Sequence, residues 1–481
     1  MNMDRERWPV VASRRFGLGA RPGEIASYRS DPRGAVLAQL DPKAALLGDP
    51  ELLSSPEAIR RWWAFSAEEK MRREAPQPKP EAVAPMAAPA APPPPAGSTP
   101  PQPAPPPAAM PPNLPEQLYR AEVVARLARQ SSTTTPLVER LVNFWSNHFC
   151  VSTRKGPNIR CAVGAYEREA IRPHVLGRFH DMVMASARHP VMLSYLDNSI
   201  SVGPGSKAGL RTKKGLNENL GREILELHTL GADGGYSQAD VTAFAAALTG
   251  WGVVGPQAKD SEPGTFNFDP ARHQPGSVHI LGKPYDQGGV EQAEAALADF
   301  ARHPMTARHI SRKLVRHFVG DGAPGGLVDR LAVVFRDTDG DLAAVTRSLV
   351  EAAEAWSAPP AKILSPWDFL IASGRMLGID WSYGEANRML NLFGQPVWSP
   401  NFPQGWSDDD DEWAAPSSLL ELLDACAVLA RRNAGDRNVS RLADETLGAF
   451  LHPRTRQAIA RSETPEVALT LLLVSPDFLR R

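Results

Sequence analysis

The sequence predicts an all-α fold: a multi-helix body with at most a small β-hairpin and a disordered Pro/Ala-rich insert. Three observations carry this. Apolar residues recur at helical spacing along most of the chain, as at Val241, Phe244, Ala245 and Leu248. Strand-like runs are few and never alternate with helices, which argues against a doubly wound sheet. From about Pro76 to Pro112 the residues are mostly Pro and Ala, and proline removes backbone donors and fixes φ. That stretch can build neither helix nor ladder and is expected to be a polyproline-like or disordered spacer. It divides the chain into an N-terminal helical segment 1–75 docking on the main body, the spacer 76–112, and a main helical domain 113–481.

The elements follow in order. Glu57–Arg73 sets Ile59, Trp62, Trp63 and Phe65 among charged residues, the pattern of an amphipathic helix. Pro136–Phe149 places Leu137, Leu141, Phe144 and Trp145 on one side. Leu216–Gly231 reads as a helix stopped by Gly231. Ser237–Leu248 opens on Ser237-Gln-Ala-Asp240, a capping box with Asp in the usual Glu position. Thr265–Phe268 and Ser277–Leu281 are expected to pair as a hairpin across Pro270–Gly276. Ala307–Phe318 repeats the helical spacing, and His303, His309 and Lys313 around it read as parts of a capped, solvated helix. Asp337–Asp341 has the wrong Gly position for a calcium loop and reads as a turn whose Asp caps Leu342–Ala353. Asp408–Glu412 reads as a solvated acidic loop. Ser417–Leu429 and Val467–Val474 add the last helices.

Composition narrows the function. A formal net charge of −1 gives no bulk attraction for nucleic acid or an anionic membrane. No apolar run reaches the roughly 18 residues of a membrane span. Ser13-Arg14-Arg15-Phe16 looks like the start of a twin-arginine export signal, but Gly17–Pro22 follows where an apolar stretch belongs. The expected compartment is therefore the cytoplasm, with carriage by a twin-arginine partner as the other route. Cys150, Cys161 and Cys426 form no CxxC pair and read as buried thiols. GxSxG, HExxH and Walker sequences are absent, and the residues specify no cofactor or metal.

The richest polar segment is Leu216–Gly231. At about 100° per residue, Leu216, Leu220, Ile224 and Leu227 form an apolar stripe, with Asn219, Arg222, Glu223 and Glu226 on a neighbouring stripe. Asn217 and His228 lie on a third side, so a regular helix cannot bring His228 and Glu226 to one metal. Glu223 and Glu226 are the candidate acid, base or ligands. Arg222 decides the matter: between the carboxylates it would make a salt-bridged network instead. Candidate binding residues beside this helix are Asn217, Asn219 and His228. Asn147 and His148, from Asn143-Phe-Trp-Ser-Asn-His-Phe149, join them, with His273 from Phe268-Asp-Pro-Ala-Arg-His273.

These stretches, with Arg15-Phe-Gly-Leu-Gly-Ala-Arg-Pro22, Tyr236–Asp240, Leu248–Trp251, Gly394-Gln-Pro396 and Asn401-Phe-Pro-Gln-Gly-Trp406, resemble the bacterial family catalogued as domain of unknown function 1800. The resemblance covers nearly the whole chain outside the Pro-rich insert. It implies a helical body without an assigned activity, encoded beside exported proteins that look related to alkaline phosphatases and sulfatases. Where that family often has His-Asp-x-Gly, this chain has His273-Gln-Pro-Gly276, which weakens a metal site at His273. Two functions are therefore expected: a binding or assembly partner of such an exported protein, or a metal-dependent hydrolase centred on helix 216–231.

Overall fold

Prolines in the first helical turn and short polar caps start many of the helices. Pro115, Pro136, Pro157, Pro304, Pro366 and Pro465 each occupy the first or second helical position, where a missing N–H costs nothing. Asn113, Asp341, Ser365 and Thr464 accept from backbone N–H groups two or three residues inside their helices. The computed structural model describes residues 2–74, 113–322, 324–413 and 416–481. The Pro/Ala-rich spacer lies outside the described residues.

The longer helices of the first half are α1 (Asn2–Arg14), α2 (Ser55–Glu74), α3 (Leu114–Ser132), α4 (Pro136–His148) and α5 (Pro157–Tyr166). A π turn, Glu167–Ile171, continues α5, and a second, Ile224–His228, continues the short helix α6 (Asn219–Glu223). Helix α7 (Gln238–Ala247) carries the predicted capping box, with Ser237 and Asp240 each bonding the other's backbone. After it come α8 (Val290–Arg302), α9 (Pro304–Phe318), α10 (Gly325–Asp337), α11 (Leu342–Glu351), α12 (Pro366–Leu377), α13 (Tyr383–Leu392), α14 (Pro416–Asn433) and α15 (Pro465–Val474). Among the described residues no helix is long and apolar enough to cross a membrane.

Both predicted strands exist, but they do not pair with each other. β1 (Trp251–Val253) pairs antiparallel with β2 (Phe266–Phe268), and β3 (Val278–Ile280) with β4 (Lys283–Tyr285). Leu281 and Gly282 have φ of 52° and 75°. Two consecutive left-handed residues make the tight turn that folds β4 straight onto β3, leaving β2 to the segment that leaves α7.

Apolar side chains from Val10 to Phe478 form one core cluster. The Arg14-Arg15 pair belongs to it. Arg14 donates to the Phe478 and Arg480 carbonyls, and Arg15 to those of Ala355, Ala358 and Pro359. These guanidiniums tie the end of α1 to distant segments, which accounts for two adjacent buried arginines. Helix α2 packs on α5, and Ser55 bonds Glu169 through its N–H (2.8 Å) and hydroxyl (2.6 Å).

Candidate functional site

Two stretches far apart in sequence, Asn143–Phe149 on α4 and Asn401–Trp406, lock together. Asn147 Nδ2 donates to the Trp406 carbonyl and Asn147 Oδ1 accepts from the Trp406 N–H, both at 2.8 Å. Gly405, at φ +82°, permits the approach: a Cβ there would lie 2.6 Å from the Asn147 carbonyl oxygen. Cys150 donates to the Pro403 carbonyl at 3.1 Å, and burial pushes its thiol up to about 12, so it packs rather than reacts. Gln395 accepts from the Trp367 N–H at 2.7 Å.

The joint leaves a cavity of about 110 Å³. Trp367, Trp398, Trp406 and Trp413 wall it, and Arg126, His317, Lys362, Asp368, Asp408 and Arg481 bring charge to it. Arg126 lies 4.4 Å from the Trp367 ring centre and 5.2 Å from that of Trp398, cation–π distances on two sides. Its Nη2 donates to Asn143 Oδ1 at 2.9 Å, and its Nε lies 3.2 Å from Glu167. Glu167, on the first π turn, also accepts from Ser146, Trp398 and Arg172. Arg172 grips Glu139 with two nitrogens, at 2.8 and 3.1 Å, and Arg129 reaches the same carboxylate at 3.1 Å. Arg126, on the cavity wall, thus begins an alternating chain, Arg126–Glu167–Arg172–Glu139–Arg129, that is buried as far as Glu139. π turns are rare and often mark functional sites.

On the cavity's other side His317 Nδ1 lies 3.2 Å from Asp408. A neutral imidazole puts its proton on the nitrogen facing a carboxylate, so Nε2 is left as a bare acceptor, buried without a partner among the described residues. Burial lowers His317 to about 4. Burial also works to raise the Asp408 carboxyl, but the His317 bond and the charges of His317, Lys313 and Lys362 hold it below its ordinary value. Asp408 is therefore a wall residue of the cavity, not part of a solvated loop.

The predicted site helix is shorter and differently wound than expected. The α-helix ends at Glu223, where the π turn begins; an i→i+5 turn advances roughly 80–90° per residue, so Glu226 and His228, two apart, still face nearly opposite ways. Arg222 pairs with Glu218 at 2.8 Å and Gln238 at 3.1 Å, not with Glu223 or Glu226. Glu218 precedes Arg222 by four residues, the favourable order. Hydrogen bonds from Thr242 and Gln238, then the Arg222 charge, hold Glu218 below its usual value. Glu223 and Glu226 are half-buried and make no hydrogen bond or ion pair among the described residues. Burial, then the Glu226 charge, raises the Glu223 carboxyl against the pull of Arg222. Asn217 Oδ1 accepts from the Asn219 N–H at 3.0 Å, an Asx turn opening the helix, and Asn219 itself is exposed.

The histidines finish the second π turn. His148 Nε2 donates to the His228 carbonyl and His309 Nε2 to the Leu227 carbonyl, both at 3.1 Å, satisfying oxygens that a helix end leaves open. The His228 ring is buried with its centre 5.0 Å from that of Phe149. Burial first, then the Lys313 charge, lowers His148 well below its ordinary value, His228 to about 3 and His309 to about 4. His273 is held elsewhere, by the Thr249 carbonyl at 2.9 Å and the Phe268 ring. No three His, Cys, Asp or Glu side chains converge as a metal would need among the described residues.

Sequence reasoning passed over Glu218 and His317, and it read His309, Lys313 and Asp408 as solvated. A signal existed for three of them. His309, Lys313 and His317 stand four residues apart on α9, one face of one helix, and that face turns inward. Lys313 makes no hydrogen bond or ion pair among the described residues, and its charge is felt by Asp408 as well as by the three histidines.

Fold and site together define a helical protein whose separated polar motifs converge on a tryptophan-walled cavity and an adjoining cluster of neutral imidazoles. The chain belongs to the family described as protein of unknown function (DUF1800), whose family model matches residues 11–480. No curated protein and no solved structure matches it.

Proposed function

We propose that the chain is a binding or assembly protein that docks on an exported phosphatase- or sulfatase-like protein. The observation supporting a docking role is the outer face of α14. Leu420, Leu423 and Val428 are exposed along it, and Leu392 is exposed at the end of α13. Cys426, Leu429 and Ala430 of the same helix are already buried. A helix apolar on two sides retains a face for another apolar surface. Between α13 and α14 runs a groove of about 350 Å³ with Trp381, Met389, Leu392 and Val428 in its wall. Glu385, Arg388, Asp424 and Arg432 also line it, and such mixed charges orient a partner more than they bind it. An amphipathic helix with spaced apolar anchors suits this groove. The identity of the partner rests on the family resemblance.

Co-expression with the phosphatase- or sulfatase-like neighbour is expected to give a complex that survives gel filtration. Leu392→Glu combined with Val428→Glu should weaken it by about 30-fold or more, the size of one interface hot spot. The unfolding midpoint of the free chain should stay within the small range of surface substitutions. Recovery of both proteins separately under gentle conditions overturns the reading.

A hydrolase using Glu223 and Glu226 is the second reading. It is favoured by one observation: two half-buried carboxylates that engage no described residue, one of them raised. Such a pair suits general acid–base work. On phosphate- and sulfate-ester substrates, Glu223→Gln and Glu226→Gln should each abolish turnover while leaving the unfolding midpoint unchanged. Absence of turnover in the unsubstituted protein, or its survival in both variants, removes this reading.

A further inference from the structure

Neither reading uses the surface loop that runs from Val202 to Gly215. We propose that it docks on a membrane surface of anionic lipid, its cations meeting lipid phosphates and an aliphatic side chain entering the interface.

The first argument is how the loop is held. The Val202 N–H donates to the Gly215 carbonyl at 3.1 Å, which brings the two ends together in the manner of an Ω-loop. Its inner side is fastened to the segment Ala271–Gln274. The Gly203 and Ala208 N–H groups donate to the Arg272 and Ala271 carbonyls, both at 2.8 Å, and the Gly205 N–H to Gln274 Oε1 at 2.8 Å. Arg272 clamps the base, donating to the Ser199 and Ser201 carbonyls at 2.6 and 2.7 Å. A backbone fixed in this way presents its outer side chains with little ordering left to lose on binding.

The second argument is charge. The loop contains a short helix, Lys207–Thr212, that buries Gly209. Lys207, Leu210 and Arg211, three and four residues apart, share its outward face, and all three are exposed. Lys213 and Lys214 follow, exposed as well. The side chains of Lys207, Arg211, Lys213 and Lys214 make no hydrogen bond or ion pair among the described residues. No acid stands between Asp197 and Glu218 in the sequence. The acids that border the loop have cations of their own: Asp197 pairs with Lys155 at 2.6 Å and Glu218 with Arg222 at 2.8 Å. Asp269, beside the fastening segment, supports the charge of Arg272. A chain of net charge −1 thus concentrates unneutralised positive charge on one loop.

The third is the apolar component, which chooses among anionic partners. Leu210 is 65% exposed amid these cations, and Ile200, at the base of the loop, is 63% exposed. No aromatic residue stands between Tyr195 and Tyr236, so the loop offers no ring on which a nucleic-acid base could stack. Aliphatic side chains among Lys and Arg match a membrane interface instead. There the apolar group sits below the head groups, and each cation adds to the attraction.

The test sediments the full chain with vesicles of phosphatidylglycerol and phosphatidylcholine in equal parts, and with vesicles of phosphatidylcholine alone. Binding to the anionic vesicles should saturate at low salt, with half the protein bound at about millimolar lipid, and should fall away at high salt. Neutral vesicles should bind none. Lys207→Gln, Arg211→Gln and Lys214→Gln combined should weaken binding at least 30-fold, at about fivefold for each cation. Leu210→Ser should weaken it about fivefold with the charge unchanged. All of these side chains are exposed, so the unfolding midpoint of each variant should stay in the range of surface substitutions, which separates lost binding from a lost fold. No sedimentation with anionic vesicles, equal sedimentation with both kinds, or binding kept by the triple variant would each overturn the proposal. Unchanged affinity in Leu210→Ser would overturn it too, and would make the loop a seat for a soluble acidic protein.

Discussion

Replacing Arg172 by Met should cost about 3–5 kcal/mol of stability, the usual result of removing one partner from a buried ion pair. Arg172 has no exposed surface and serves two carboxylates with three nitrogens: Nη1 and Nη2 on Glu139, Nε on Glu167. Burial works against its charge, yet Glu139 and Glu167 together hold its pKa above the ordinary value. Methionine fills much of the same space but leaves Glu139 with Arg129 as its one cation, beside the Gln130 amide, and Glu167 with Arg126. Arg172→Lys should recover only part of the loss, because an ammonium cannot reproduce the bidentate fork. Adding Glu139→Gln to Arg172→Met should restore stability, since it removes one stranded charge. Urea unfolding at neutral pH reads all three, with the midpoint moving and the slope held. A loss below about 1 kcal/mol for Arg172→Met, the range of exposed pairs, would show that this chain is not the sealed element its geometry implies.

Much of the fold was legible because helices announce themselves locally. Ser237-Gln-Ala-Asp240 produced the box it spells, and Asp341 capped α11 as its position implied. Strand pairing was less so. The segments were right, but the choice of partner lay in the backbone of Leu281 and Gly282, whose left-handed pair closes β3 on β4. The candidate site was legible in part. Asn147 and His148 do stand where separated motifs meet, but Asn147 holds a loop and His148 caps a π turn. Nothing in the composition of Ile224–His228 marks a π turn, so a helical wheel drawn at α spacing misses the change of winding after Glu223, although Glu226 and His228 stay nearly opposite in it. Arg222 is different: Glu218 stood four residues before it in the same segment, in the favourable order. Asp408 was out of reach, because it lies in a loop and its partner His317 on the distant helix α9, and only tertiary packing brings them together.

Acidification from pH 7 to pH 5 should destabilise the protein steeply, and the imidazoles are the cause. In the unfolded chain His148, His228, His309 and His317 take up protons near pH 6.5. In the fold burial holds His309 and His317 neutral down to about 4, His228 to about 3, and His148 well below its ordinary value. Between those limits the unfolded state binds more protons, so stability falls as pH falls. Each proton contributes about 1.4 kcal/mol per pH unit, and four contribute roughly 5 kcal/mol per unit once the unfolded histidines are charged. Glu122 and Glu223 oppose this, since a raised carboxyl gains stability on acidification, but they are two groups against four imidazoles. Asp368 and Asp408, held low, keep their contributions until the pH drops below the ordinary carboxylate value near 4. The window from about pH 6.5 to 4 therefore belongs to the histidines. Urea midpoints at pH 7.5, 6.5 and 5.5 test it, and His309→Gln, which keeps a donor for the Leu227 carbonyl, should flatten the slope by about one proton. Equal stability at pH 7.5 and 5.5 would mean that these rings can be protonated in place. Their surroundings argue otherwise: a second positive charge on His148, His228 or His309 would sit beside Lys313, whose own ammonium burial already disfavours and which makes no ion pair among the described residues.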